Sequence, residues 1–285
     1  MEQKQFASLS QKDGCHFEKD LITAETIERY RTSKWLGNEI LFYETIDSTN
    51  NEARRLAEQG KPHGTLVVAE NQTSGRGRRG RSWVTPEQSA IAMSILLRPQ
   101  LAPASASMVT LVMGLAAAKA CRTCCGVNAQ IKWPNDVVAE GRKICGILTE
   151  MSSEIDRINY VVIGTGINTG VEIFPPELAS TAVSLHELMG QKPVRARLIA
   201  VCMEYFEQYY EQFEACQNLA FLKEEYNALL AGKGGMVRVL EPGKEYSGIS
   251  EGINEQGELL VRREDGSCEA VYAGEVSVRG VYGYV

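Results

Sequence analysis

Between Thr73 and Trp83 the chain reads Thr-Ser-Gly-Arg-Gly-Arg-Arg-Gly-Arg-Ser-Trp, with four arginines and three glycines in one short run. These are the residue types of an anion-holding loop. Gly75, Gly77 and Gly80 permit positive φ and close backbone approach, and Arg76, Arg78, Arg79 and Arg81 present forked donors suited to phosphate or carboxylate. Trp83 adds a flat face for stacking. The run matches the dinucleotide pattern G-x-G-x-x-G, which requires its third glycine in the first turn of a hydrophobic helix and an acidic residue about 20 positions on. Here Arg81, Ser82, Trp83 and then Thr85-Pro86 follow, and no helix can be read. A solvated basic loop is the bland alternative. Such a density of glycine, arginine and tryptophan argues against it.

Three further clusters carry polar chemistry. Asp47-Ser48-Thr49-Asn50 stands at a helix start, where Thr49 and Glu52 have capping spacing and free backbone N–H groups can meet a small polar ligand. In Lys132-Trp133-Pro134-Asn135-Asp136 the proline and the Asn-Asp pair turn the backbone and pin a lysine at a strand end. Gly164-Thr165-Gly166-Ile167-Asn168 ends another strand, its glycines reading either as a ligand-facing surface or as a bulge, with the Asn168 amide able to read hydroxyls or phosphate.

The elements that must position these groups follow from the apolar pattern. Strands are expected over residues 40–46, 65–70, 90–97, 143–150 and 159–168, with helices from Thr49 to about Gly60 and from Val109 to Ala120. A short helix near 21–30, with Thr23 as its cap, precedes them; one or two amphipathic helices between Arg195 and Leu230 follow. Their aromatic stripe reads as core. From Met236 on, short alternating runs separated by Pro242-Gly243, Gln256-Gly257 and Asp265-Gly266 indicate a small barrel. The domain reading is residues 1–38 as tail and short helix, 39–233 as the main domain and 234–285 as the barrel. The ~38 residues before the first strand are too few for a helix-turn-helix module.

Composition bounds the function. A chain of 285 residues with 44% hydrophobic and 23% charged residues fits a globular protein, and its formal net charge of -6 speaks against a nucleic-acid binder. No apolar run approaches the ~20 residues of a membrane span, and the N-terminus lacks a signal-peptide core, so the cytoplasm is expected. Eight cysteines include Cys121-x-x-Cys124-Cys125. With no second ligand pair at workable spacing they read as packing residues in a reducing compartment, and no metal site is expected.

Taken in order and spacing, these motifs resemble the bacterial biotin protein ligases, over roughly residues 21–285. The resemblance implies an α+β fold, a mixed sheet flanked by helices as in class II aminoacyl-tRNA synthetases, followed by an SH3-like barrel. It implies an enzyme that joins biotin and ATP, with Mg2+, into biotinyl-5'-adenylate and then acylates one lysine of a biotin carboxyl carrier protein of acetyl-CoA carboxylase. Ser48, Thr49, Asn50 and Gln72 are then expected around the biotin rings and chain, against the backbone of Gly164 and Gly166. Arg76, Gly77, Arg78 and Lys132 are expected at the carboxylate and phosphate, with Lys132 as the principal cation. Arg79, Arg81, Trp83, Asn135 and Asn168 are expected toward the adenylate. Members often carry Ala-Thr-Ser-Leu where this chain has Ala182-Val183-Ser184-Leu185. Many members also carry an N-terminal DNA-binding module; none is expected here, no DNA or membrane partner is expected, and a homodimer stays open. Lipoate ligases share the fold and are the nearest rival.

Overall fold

The structure is a computed structural model that describes residues 20–83, 88–241, 243–273, 277–280 and 284–285. The tail expected over residues 1–20 therefore lies outside the described residues up to position 19. Seven strands, β1 (Ile40–Ile46), β2 (Thr65–Gln72), β3 (Ala90–Leu97), β4 (Gln130–Lys132), β5 (Asp136–Ala139), β6 (Arg142–Ser153) and β7 (Ile158–Asn168), form one sheet in the order β1-β2-β3-β7-β6-β5-β4. β1 and β2 run parallel and every other neighbouring pair is antiparallel, so the sheet is mixed. Five shorter strands, β8 (Met236–Glu241), β9 (Lys244–Ile253), β10 (Leu259–Arg262), β11 (Cys268–Val271) and β12 (Ser277–Gly280), make a second, antiparallel sheet.

The two faces of the large sheet divide by the period of two. Ile91, Met93, Ile95 and Leu97 of β3 point to the main core, which they share with the helices α3 (Met108–Cys125) and α5 (Arg195–Cys216). Leu96, with Val67 and Val162, points the other way and is covered by Ala53, Leu56 and Ala57 of α2 (Thr49–Glu58). That helix covers only part of its face. The rest is left to the arginine loop.

Two sequence expectations are corrected here. The stretch Pro103–Cys125 is long and apolar enough to cross a membrane by length and composition, although 72% of its apolar window is buried inside the protein. It is the core helix: Val109, Val112, Met113, Ala116, Ala117 and Ala120 are all fully buried. The cap of α2 is Ser48 rather than Thr49, and its side chain makes no capping bond. In the first helix, α1 (Ala24–Tyr30), Thr23 does cap as its type suggests, in a reciprocal box with Thr26. Of the cysteines, Cys121, Cys145 and Cys202 are buried and Cys124 and Cys125 half-buried, all as free thiols. Burial pushes each of these five thiols up, which keeps them protonated and unreactive.

Candidate active site

One row of residues crosses the large sheet. In register, Lys132 of β4 faces Asp136 of β5, Asp136 faces Gly146 of β6, Gly146 faces Gly166 of β7, and Gly166 faces Ala92 of β3. The two central glycines leave a flat bed. The Trp83 ring lies on it: a Cβ added at Gly166 would sit 2.5 Å from the indole, and one at Gly146 would lie 3.5 Å from it. In the next row Leu148, Gly164 and Ser94 are aligned, and a Cβ on Gly164 would sit 2.1 Å from Asn50 Oδ1. Both Gly164 and Gly166 thus serve close approach, by Asn50 and Trp83.

The cavity above these rows is lined by Ser48, Thr49, Asn50, Gln72, Arg76, Gly77, Arg78, Trp83 and Asn135, together with Lys143, Gly146, Gly164, Thr165 and Gly166. Its polar groups are held by one another. Gln72 Oε1 accepts from the Thr49 backbone N–H at 2.8 Å and from its hydroxyl at 3.1 Å. Ser94 Oγ lies 2.8 Å from Thr49 Oγ1 and donates to Asn50 Oδ1 at 2.6 Å, and Asn50 Nδ2 donates to Glu150 Oε2 at 2.7 Å. Among the described residues the Trp83 indole N–H is one of six buried side-chain polar atoms without a hydrogen-bond partner, and it lies at this cavity. Such groups are rare in a folded chain, and at a cavity wall this donor is placed to meet a ligand acceptor.

Loop geometry brings the arginines in. Thr73 and Ser74 bond back to Ile46 and Asp47, Trp83 N–H donates to Gly75 O at 2.9 Å, and a Cβ on Gly75 would meet Trp83 O at 2.3 Å. A single 3-10 turn, Arg78–Gly80, forms at the tip, with Arg79 at φ 58. Arg76 Nη2 donates to Asn51 Oδ1 at 2.6 Å and lies 3.2 Å from Glu150. Arg78 Nη1 donates to Asn135 Oδ1 at 2.6 Å, bridging the loop to the turn after β4. Burial pulls the Arg78 guanidinium down from its ordinary value, yet an arginine stays charged.

Beside Arg76 and Arg78 the cavity is lined by the ammonium of Lys143, which the sequence reading passed over. The β5–β6 register shifts between Val137 and Val138, so that Cys145 and Lys143 face consecutive residues and Ile144 is the extra one. Strict alternation would put Lys143 on the core side with Cys145; the bulge turns it to the cavity side. Its Nζ donates to Asp136 Oδ1 at 2.6 Å and lies 5.9 Å from the Trp83 ring centroid. Asp136 is buried. Burial raises its carboxyl, but Lys143, the Tyr284 hydroxyl and Lys132 together outweigh that and hold it below the usual range.

Lys132 sits elsewhere. Two strands out from β6, roughly 10 Å at the usual strand spacing, it lines a separate cleft against Val278 and Arg279 of β12. Its ammonium lies 4.2 Å from the Tyr284 ring centroid, and burial with nearby cations pulls it down to about 8. Among the described residues Arg79, Arg81 and Asn168 likewise do not line the main cavity. Asn168 Nδ2 instead donates to Lys143 O and Val183 O, both at 3.3 Å, so it ties down the strand that carries the lysine. Val183 is fully buried and its N–H donates to Lys143 O at 3.0 Å, so position 183 acts through backbone.

Residues 42–168 match the Biotin/lipoate A/B protein ligase family and residues 234–279 match the Biotin protein ligase C terminal domain. The chain is 34% identical over 245 residues to the bifunctional ligase/repressor BirA of Bacillus spizizenii, covering 85% of this chain and 75% of that one. It is 32% identical over 240 residues to the biotin--[acetyl-CoA-carboxylase] ligase of Paracoccus denitrificans, covering 82% of this chain and 98% of the relative. Among solved structures, the biotin protein ligase from Aquifex aeolicus in complex with biotin and ATP superposes with a TM-score of 0.75 at 27% identity, covering 85% of this chain and 99% of that one. Cavity, arginine loop and barrel sheet together with these likenesses make the chain a member of the biotin protein ligase family.

Proposed function

We propose that the cavity over Gly146, Gly164 and Gly166 activates biotin with ATP and that the adenylate formed there acylates a lysine of a biotin carboxyl carrier protein. The observation that carries this reading is the pairing of a neutral amide and hydroxyl end, Thr49, Asn50 and Gln72, with a cationic end, Arg76, Arg78 and Lys143, in one cavity. The first suits a ureido ring and the second a carboxylate meeting an α-phosphate. Two anions repel, so attack of the carboxylate oxygen on the α-phosphorus, with the bond to the β-phosphate breaking and pyrophosphate leaving, needs positive charge already in place. Lys143 is the group we assign to that point, held by Asp136; Lys132, on the far side of Asp136, adds to the field from outside the cavity.

Arg78 fits a second role. Bridging to Asn135, it closes the loop over the mixed anhydride and limits water until the carrier amine arrives. Trp83 offers its face to the adenine and its unpartnered N–H to the nucleotide. Mg2+, entering on ATP, would screen the phosphates. Among the described residues no group of three His, Cys, Asp or Glu could hold the ion, so nucleotide oxygens and waters would supply most of its ligands. A cytoplasmic site follows from the need for ATP. The test is mass-spectrometric detection of biotinyl-adenylate after incubation with biotin and MgATP, run beside lipoate. Adenylation of lipoate in place of biotin would sink the reading.

A further inference from the structure

Tyr284 comes after the last barrel strand and reaches back to the large sheet. Its hydroxyl donates to Asp136 Oδ2, while Lys143 Nζ donates to Oδ1, so two donors hold opposite oxygens of one carboxylate. The same tyrosine ring carries the Lys132 ammonium. Burial and the Asp136 charge push the Tyr284 phenol well above its ordinary value, which keeps its proton and makes it the donor.

The terminal torsion of an aspartate is broad and roughly two-fold, so a carboxylate held at one oxygen can rotate. A second donor on the other oxygen fixes its plane. Asp136 is only 8% exposed, and water cannot readily take the place of that donor. We propose that Tyr284 is a positioning residue for the reaction: by holding Asp136 Oδ2 it fixes the plane from which Oδ1 aims Lys143 into the cavity, making adenylation depend on the barrel segment being seated. The proposal rests on the assignment of Lys143 above.

Other charged and titratable groups act on the same carboxylate or its partners. Lys132 from β4, Lys143 and Cys145 from β6 and Arg78 from the loop act on Asp136, and Arg279 from β12 and Arg81 act on Tyr284. Removing the Tyr284 hydroxyl takes away one of the interactions that favour the Asp136 anion, so its carboxyl should titrate at higher pH. The remaining cations are unchanged by that substitution. A shift in the acid limb would therefore report the lost donor.

The experiment is biotin-dependent exchange of pyrophosphate into ATP, measured against pH on the full chain. Tyr284→Phe keeps the ring under Lys132. It should lower turnover roughly ten-fold near neutrality, the rate equivalent of one charge-assisted hydrogen bond, leave KM for biotin within about two-fold, and move the acid limb to higher pH. Site-specific 3-fluorotyrosine at position 284, a stronger donor of nearly the same shape, should move that limb to lower pH and remains informative if the Phe variant does not fold. A Phe profile that superimposes on the parent, or falls by one factor at every pH, would overturn the proposal. So would a fluorotyrosine limb that stays in place. Lys143→Met separates the two layers: if it abolishes exchange while Tyr284→Phe changes nothing, only the tyrosine inference fails, whereas an active Lys143→Met enzyme removes the assignment beneath both.

Discussion

Lys143 Nζ lies 2.6 Å from Asp136 Oδ1, on a strand position that a single inserted residue turns from the core to the cavity. The pair stands at the boundary between the cationic wall and the neighbouring barrel. An ammonium already ordered by a carboxylate needs little reorganisation when an anionic centre forms beside it.

Replacing that lysine should therefore affect chemistry more than binding. Lys143→Met is expected to lower turnover in pyrophosphate exchange by roughly 100-fold or more, the scale of one lost preorganised donor, with a much smaller rise in KM for biotin. Lys132→Met should cost less, because its charge acts from beyond Asp136. Steady-state kinetics on both variants checks the order; a larger loss at Lys132 would show that the reacting carboxylate lies on the barrel side.

The glycine bed makes a second prediction. A methyl at position 166 would sit 2.5 Å from the Trp83 indole, closer than real Cβ atoms come to anything, and the ring would have to lift. Gly166→Ala is expected to raise KM for ATP by about ten-fold and to affect biotin less. Gly164→Ala, which collides with Asn50 at 2.1 Å, should do the reverse. Equal effects of the two variants on both substrates would mean that the rows do not divide the ligand as argued.

These two examples show what the sequence could and could not convey. β3 begins and ends where its apolar run does, Ala90–Leu97, because full burial leaves little freedom of register, whereas β1, Ile40–Ile46, was legible from its strand-forming residue types although none of it is fully buried. The arginine loop was legible because its composition is so far from an ordinary turn. Lys143 was not: Lys143-Ile144-Cys145 looks like any strand start, and the bulge that redirects it depends on pairing with Val137 and Val138. Lys132 is the complementary case. Its turn residues predict a fixed strand end, but nothing local says that β4 is the outermost strand and lies against the barrel. Helix α4 (Leu185–Met189) was also missed, being five residues long and too short to show a period.

Lys132 also bears on stability. Its pKa falls from 10.5 to about 8, chiefly through burial, so the folded protein disfavours the charged form. Between those values the unfolded chain binds more protons than the native one, and stability must rise with pH there; below about 8 the full cost is present. Lys132→Met should consequently stabilise the protein near neutrality by about 1–3 kcal/mol, and the advantage should shrink as pH rises toward 10. Urea midpoints of both proteins across that range test it. An advantage that is constant with pH would trace to packing instead of charge.

Among the described residues Arg195 is the largest fully buried side chain, and all its guanidinium donors are used. Nε donates to Asp20 Oδ2 at 2.6 Å, Nη1 to Glu70 Oε1 at 2.6 Å and Ala90 O at 3.0 Å, and Nη2 to Asp20 O and Glu70 Oε2, both at 3.2 Å. Glu70 also accepts the Gln88 N–H at 2.7 Å, so the same carboxylate fixes the strand that leaves for the arginine loop and the residue at which the chain returns. Removing the cation strands two half-buried carboxylates, and Arg195→Ala should cost about 3–5 kcal/mol. Adding Asp20→Asn and Glu70→Gln should recover a large part of that loss, since neutral amides need no counter-ion. Denaturant midpoints of the single and triple variants decide the matter: if the amide pair gives no recovery, the loss at Arg195 is one of packing volume, and the clamp holds the loop by shape alone.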